Sequence, residues 1–464
     1  MTGTDRPQTS TFRDPAGTLT ISEQQVLRYV RPAYEGEART FLESRLRQKL
    51  EASGEIAASE IVSGEGELCL RHPLIWFTTY PWEWTQGQWR AAAELTLRLE
   101  EEALRAGWTL KDATPLNILF EGTKPVLVDV LSFEQRDLKS PVWLAYGQFV
   151  RTFLLPLVAH HWLRWPLSAT ASRRDGFEPH EVYDALPWMK RLHPRLLWPV
   201  TLPVMLERRA EDSGTAKKAR AVHRDPAIAK QVLLHTVAGL RRQVERAAPA
   251  AARSAWSQYE QTAEHYTAAE VEQKRRFVEA GLETAGAKTV LDVGANTGTY
   301  SLLAASKGAR VVALEGDAAA AERIWQRALA AKADIQPVVA NLAWPTPAYG
   351  WENKETRALV ARMEKAFDFV LMLAVVHHLL LREQIPLERI AALAARLTRG
   401  WLLLEWVPVK DPMFQKLLRG RDDLYGGINE AQWAEAAAAH FETVRREELT
   451  NGRVMLLYRV RDGR

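Results

Sequence analysis

The sequence predicts an α/β protein. A mostly parallel sheet over 251–464 closes with an antiparallel C-terminal hairpin, and an α+β domain over 21–205 precedes it. Three observations carry this. Val290-Leu-Asp-Val-Gly-Ala-Asn-Thr-Gly298 reads as a buried strand running into a glycine-rich turn. Strand-length apolar runs alternate with helical segments beyond residue 289, the pattern of a parallel sheet. Asn451-Gly452 joins two strand-like runs near the end, a strong hairpin signal.

A chain of 464 residues is too long for one ordinary core, so two or three domains are expected. Hydrophobic residues make up 47% and charged residues 25%, which is ordinary for a globular protein. A net charge of +4 does not argue for a nucleic-acid partner. The one cysteine, Cys69, excludes an intrachain disulfide and suits a reducing, cytoplasmic setting. Residues 1–20 read as a disordered tail without the apolar core of a signal peptide.

Within 21–205, residues 68–79 read as strands and 89–106 as a helix with Ala92, Leu95, Leu97, Leu99 and Leu104 on its apolar face. Gly107 is the expected helix stop. Residues 125–129 form a short buried strand. The most apolar stretch, 142–167, contains Arg151, His160, His161 and Arg164, and reads as a buried helix pair and not a membrane span. The chain has 17 tryptophans, many of them between Trp76 and Trp198, and they are expected to fill the core. Residues 206–250 turn basic and alanine-rich, and read as a solvated helical linker. Beyond it, 289–293, 310–314, 335–339, 367–373 and 401–406 read as sheet strands, and 442–449 with 454–460 as the hairpin.

The chemistry concentrates at strand ends. Gly294 and Gly298 let the backbone turn and a ligand approach, and the helix that follows points free N–H groups at that ligand. Glu315, seventeen residues after Gly298, ends the next strand, where an acid accepts ribose hydroxyls. The pattern G-x-x-x-G is not the dinucleotide G-x-G-x-x-G.

Residues 292–298 resemble motif I of class I S-adenosylmethionine-dependent methyltransferases, and Glu315 resembles their ribose-binding acid. The resemblance covers roughly 256–464. It implies a Rossmann-like sheet, S-adenosylmethionine as cofactor and methyl transfer as the activity. It further implies that Asp292 orients the cofactor's amino-acid end, and that Ala295, Asn296, Gly316, Leu342 and Leu373 line its site. Asn341 stands where such enzymes place a residue near the adenine amine. Leu373-Ala-Val-Val-His377-His378-Leu is similar to a run found after their fourth strand. His377 or His378 is a candidate general base, because imidazole titrates near neutrality. Glu405, at the end of the fifth strand, is a second candidate for acceptor contact. Trp256, Tyr259 and Tyr266 are placed to close over the cofactor. The acceptor is a small molecule, a glycan or a protein. The Asn/Asp-Pro-Pro-Tyr of DNA amino-methylating enzymes is absent, which speaks against a nucleic acid.

Leu110-Lys-Asp112-Ala-Thr-Pro-Leu-Asn117 is a second constellation, with Asp129 twelve residues beyond Asn117. It resembles the catalytic loop of protein-kinase-like phosphotransferases. The resemblance implies Asp112 as base, Asn117 and Asp129 as magnesium ligands, and ATP as a further cofactor. The histidine before the catalytic Asp and the Phe-Gly after Asp129 are missing, and Arg28 and Arg31 are the nearest phosphate-anchoring cations. The alternative to methyl transfer alone is therefore a kinase-like phosphotransferase, or a pseudokinase scaffold that delivers substrate. Tyr80-Pro-Trp-Glu-Trp84 and Gly350-Trp351-Glu-Asn353 are similar to a bacterial family of about this length that includes host-specific nodulation proteins.

Overall fold

The computed structural model describes residues 13–22, 25–62, 68–213, 225–247, 267–418 and 422–461. It divides into two compact units, Met1–Ala250 and Ala251–Arg464.

The second unit is built on a seven-stranded sheet. Its strands are β9 (Thr289–Val293), β10 (Arg310–Glu315), β11 (Ile335–Val339), β12 (Phe367–Leu373), β13 (Thr398–Trp406), β14 (Phe441–Glu448) and β15 (Val454–Val460). The order across the sheet is β11-β10-β9-β12-β13-β15-β14. The first five strands run parallel, while β15 pairs antiparallel with β13, and β14 antiparallel with β15. This is the sheet that the resemblance to class I methyltransferases implies, parallel strands closed by an antiparallel hairpin. Residues such as Val290, Leu291, Val311, Val312, Val370 and Leu371 are buried because helices cover both faces of the parallel strands. The hairpin turns through Gly452, whose φ is +81°, a left-handed conformation that glycine adopts without a Cβ clash. The strand order reverses between β9 and β12, so a crevice opens at the C-terminal ends of the central strands.

In the first unit, β1 (Gly17–Ile21), β2 (Val26–Val30), β3 (Glu60–Val62) and β4 (Leu68–His72) form an antiparallel sheet in the order β1-β2-β4-β3. Helices Pro32–Leu42 and Arg45–Ala52 lie between β2 and β3 in sequence. Helix Gln86–Ala106 follows and ends at Gly107 in the left-handed conformation, φ +85°. Two small antiparallel pairs come next: β5 (Trp108–Leu110) with β8 (Phe133–Gln135), and β6 (Ile118–Glu121) with β7 (Lys124–Leu127). The remainder of the unit is helical.

Four expectations for this unit are corrected. The tail reaches less far than residue 20, because Gly17–Ile21 pairs residue for residue with β2, and Asp14 binds Arg28 at 3.0 Å. The strand reading of 68–79 holds only to His72, where Pro73 removes a ladder donor. The apolar stretch 142–167 is one helical run and not a pair. Pro156 cannot donate to the carbonyl of Thr152, and a single wide turn, Val150–Leu154, absorbs the fault. The linker contains helix Pro226–Ala247, which buries Ala229, Leu233, Val237, Leu240 and Val244 and packs on helix Gln86–Ala106. Its cations are partly spoken for: Arg241 meets Glu101 at 2.7 Å, and Lys230 donates to the carbonyl of Arg105. Lys217, Lys218, Arg220 and Arg224 of the basic stretch lie outside the described residues. Among the described residues, no helix is long and apolar enough to cross a membrane.

Candidate functional site

The C-terminal ends of β9, β10, β11 and β12 surround a cavity of about 760 Å³ in the second unit. Gly294 and Gly298 both have positive φ, +67° and +80°. A Cβ on Gly294 would lie 2.9 Å from the Val375 side chain, so the loop and the segment after β12 close on each other only because that atom is missing. Gly298 does not itself line the cavity. It is the N-cap of helix Thr299–Ser306, so its part is to set the direction of that helix.

Asp292 is buried at the base of the loop and accepts a 2.6 Å hydrogen bond from the Ser301 hydroxyl. Burial pushes its carboxyl up to about 6, against the pull of Ser301 and of Lys274. Glu315 braces the loop: Oε2 accepts the Asn296 N–H at 2.7 Å, and Oε1 accepts the Asp317 N–H at 2.8 Å. Each oxygen retains lone pairs toward the cavity that Glu315 lines. Burial raises its pKa, and the two N–H donors oppose the rise. Asn296 stands at φ +52°, and its buried Oδ1 has no hydrogen-bond partner in the protein. Ala295, Gly316, Leu342 and Leu373 also line the cavity. Asn341 does so too, while its Oδ1 caps its own turn by accepting the Ala343 N–H at 2.9 Å.

His377 and His378 both face this space, their ring centroids 4.3 Å apart. Burial holds His377 well below the usual imidazole range and His378 down at about 4. Both are therefore neutral at ordinary pH, and the buried Nδ1 of His377 has no hydrogen-bond partner.

The expectation for Glu405 is corrected. Its carboxylate is fully buried behind the cavity, with Oε2 at 2.6 Å from Lys274 Nζ and Oε1 at 3.2 Å from Arg453. Arg453 in turn meets Asp411 at 2.8 Å. Glu405 thus anchors two cations that line the wall and does not reach an acceptor itself. Lys274, Arg453 and Tyr300 went unnoticed in the sequence. A signal for Lys274 was present: it continues the apolar stripe of Phe277, Val278 and Gly281 along helix Ala268–Ala285, so a charge there had to be buried. Arg453 carries no such mark. Trp256, Tyr259 and Tyr266 lie outside the described residues.

In the first unit, Asp129 Oδ1 lies 2.8 Å from Arg28, and its Oδ2 accepts the Ser132 hydroxyl at 2.8 Å. Asn117 donates to that same hydroxyl at 3.2 Å. Burial, then the charge of Asp129, raises the pKa of Asp112. This set does not fit a magnesium ion, because the Asp129 carboxylate is already held by a guanidinium and a hydroxyl. Among the described residues, no group of three or more His, Cys, Asp or Glu is arranged to hold a metal. Adding magnesium and ATP is expected to leave the melting temperature unchanged. A magnesium-dependent rise that Asp129→Ala removes would restore the phosphotransferase reading.

No protein-family model matches the chain. It is 28% identical over 449 residues to nodulation protein NoeA of Rhizobium meliloti (strain 1021), covering 92% of this chain and 90% of that protein. Among solved structures, N-methyltransferase NodS from Bradyrhizobium japonicum WM9 is similar at 12% identity, over 42% of this chain and 98% of its own, with a TM-score of 0.32. Magnesium protoporphyrin IX methyltransferase from Synechocystis PCC 6803 is similar at 20% identity, over 42% of this chain and 84% of its own, with a TM-score of 0.30. The bifunctional kinase-methyltransferase WbdD is similar at 19% identity, over 40% of this chain and 38% of its own, with a TM-score of 0.30.

Proposed function

We propose that the chain transfers a methyl group from S-adenosylmethionine to an acceptor held on the histidine side of the cavity. One observation carries the reading. Glu315 ends β10 with both oxygens tied to backbone N–H groups, and it lines one cavity with Gly294, whose missing Cβ lets the loop pack closely against Val375. The residues present fit the cofactor. The remaining lone pairs of Glu315 suit ribose hydroxyls, Asp292 suits the cationic amino-acid end, and Asn341 stands beside the adenine position.

The cofactor supplies a methyl carbon made electrophilic by the sulfonium sulfur. The protein positions the acceptor and excludes water. His377, neutral and with an unengaged ring nitrogen, takes the acceptor's proton where the nucleophile begins protonated. His377→Phe is expected to leave cofactor affinity unchanged. With any acceptor that a labelled-methyl assay identifies, turnover is expected to fall about 100-fold or more.

Binding tests the reading directly. S-adenosylmethionine and S-adenosylhomocysteine should compete for one site, NAD should not, and Glu315→Ala should weaken both by roughly tenfold or more. Unchanged affinity in Glu315→Ala contradicts the reading.

Affinity is also expected to depend on pH. The buried Asp292 carboxyl titrates at about 6 and must be ionised to meet a cation. Above that pH affinity should be flat, and below it should fall by up to about tenfold per unit as the proton competes. Calorimetry between pH 5 and 8 checks this, and Asp292→Asn should abolish the dependence.

The first unit is read as a kinase-like scaffold that presents substrate to the transferase unit. Its sheet-then-helix order supports the fold, and the committed Asp129 supports a role without phosphoryl transfer. The buried, unpaired Cys69 suits the cytoplasm.

A further inference from the structure

We propose that the first unit docks on an anionic lipid surface through residues 188–209. In this segment Trp188 and Met189 are 74% and 71% exposed, and Leu192, Trp198, Met205 and Leu206 are between 56% and 67% exposed. Single exposed apolar side chains are ordinary on a protein surface, but six large ones within one short segment mark an interaction site.

They do not sit on a frayed element. Leu196, Val200 and Val204 of the same stretch are fully buried, so one side of it is anchored in the core while the other stands in solvent. Trp198, Leu202, Met205 and Leu206 follow helical spacing and share the outer side. The patch continues into an apolar groove of about 780 Å³, where Trp198 faces the exposed side chains of Ile228 and Val232 on helix Pro226–Ala247.

Charge selects the occupant. Lys190, Arg191, Arg195, Arg208 and Arg209 lie in this segment against a single acid, Glu207. Arg191 is drawn over the Tyr183 ring, 4.5 Å from its centroid, and Arg208 meets Asp184 at 3.4 Å. Lys190, Arg195 and Arg209 are exposed beside the apolar side chains. A second copy of the chain, docking by a two-fold axis, would set these cations against one another. An anionic bilayer instead offers negative headgroups to the cations and an acyl boundary to the tryptophans and methionines. No described helix is long and apolar enough to cross a membrane, so the segment lies on the surface.

Vesicle flotation with the full chain tests this. Wild type should float with phosphatidylcholine vesicles containing phosphatidylglycerol, not with phosphatidylcholine alone, and salt should weaken the association. Trp188→Ser/Met189→Ser and, separately, Met205→Ser/Leu206→Ser should remove it. Arg195→Glu/Arg209→Glu should weaken it by roughly fivefold or more per residue. Unchanged circular dichroism and an unchanged thermal transition establish that each variant is folded, and the second apolar pair replaces the first if that one is not. Absence of wild-type flotation overturns the proposal, as does equal flotation of the folded variants. A concentration-dependent dimer in sedimentation velocity that Trp188→Ser/Met189→Ser turns into monomer would also overturn it, and would assign the patch to a second copy.

Discussion

Gly294→Arg is expected to fold and to bind no S-adenosylmethionine. Gly294 holds φ +67°, which costs a residue with a side chain about 1–2 kcal/mol. Its new Cβ would meet the Val375 side chain at 2.9 Å. Gly294→Ala therefore already strains the loop and is expected to weaken binding measurably. Arginine adds a long cationic chain directed into a site meant for a cationic cofactor, so contact is lost and like charge opposes like. The loop follows the C-terminal end of the central strand β9 and takes no part in the strand ladder, so the backbone scaffold should survive, as circular dichroism would check. Calorimetric affinity equal to wild type would contradict the placement of the cofactor.

The second large effect is on stability. Glu405→Ala is expected to destabilise the second unit by about 3–5 kcal/mol, because the buried Lys274 and Arg453 lose a shared counter-charge. For a unit of this size the melting temperature should fall by roughly 10 °C. Glu405→Gln keeps the shape and should still lose most of the stability, which separates charge from volume. The exposed pair of Arg446 with Glu430, at 2.7 Å, provides a control, since Arg446→Ala should cost under about 1 kcal/mol. Thermal denaturation of the three variants checks the ranking. A Glu405→Ala protein as stable as the Arg446→Ala protein would mean that the buried network adds nothing.

The parallel sheet was legible because its signals are local. Val290, Leu291 and Val293 put apolar side chains on both faces of one strand, which a strand covered on both faces sustains, and Asn451-Gly452 dictates its turn. The glycine loop and Glu315 were legible for the same reason: each acts through backbone geometry at a strand end. Glu405 was misread because its partners, Lys274 and Arg453, lie 131 and 48 residues away, and only the folded sheet brings them together. Trp188 and Trp198 were expected to fill the core and instead stand in solvent, since tryptophan content alone does not tell which side of a helix faces outward. Helix Pro226–Ala247 was expected as part of a solvated helical linker, and its arginines hid the side it buries. Its buried positions, Ala229, Leu233, Val237, Leu240 and Val244, repeat at helical spacing beneath a charged exterior.

Titrating S-adenosylmethionine into the full-length protein is the measurement that bears most directly on the role of the cavity at the ends of β9 and β10. One site per chain with micromolar-range affinity, lost in Gly294→Arg and reduced in Glu315→Ala, is the expected result. A folded wild-type protein that binds no S-adenosylmethionine, or that binds it equally well with Arg at position 294, would contradict it.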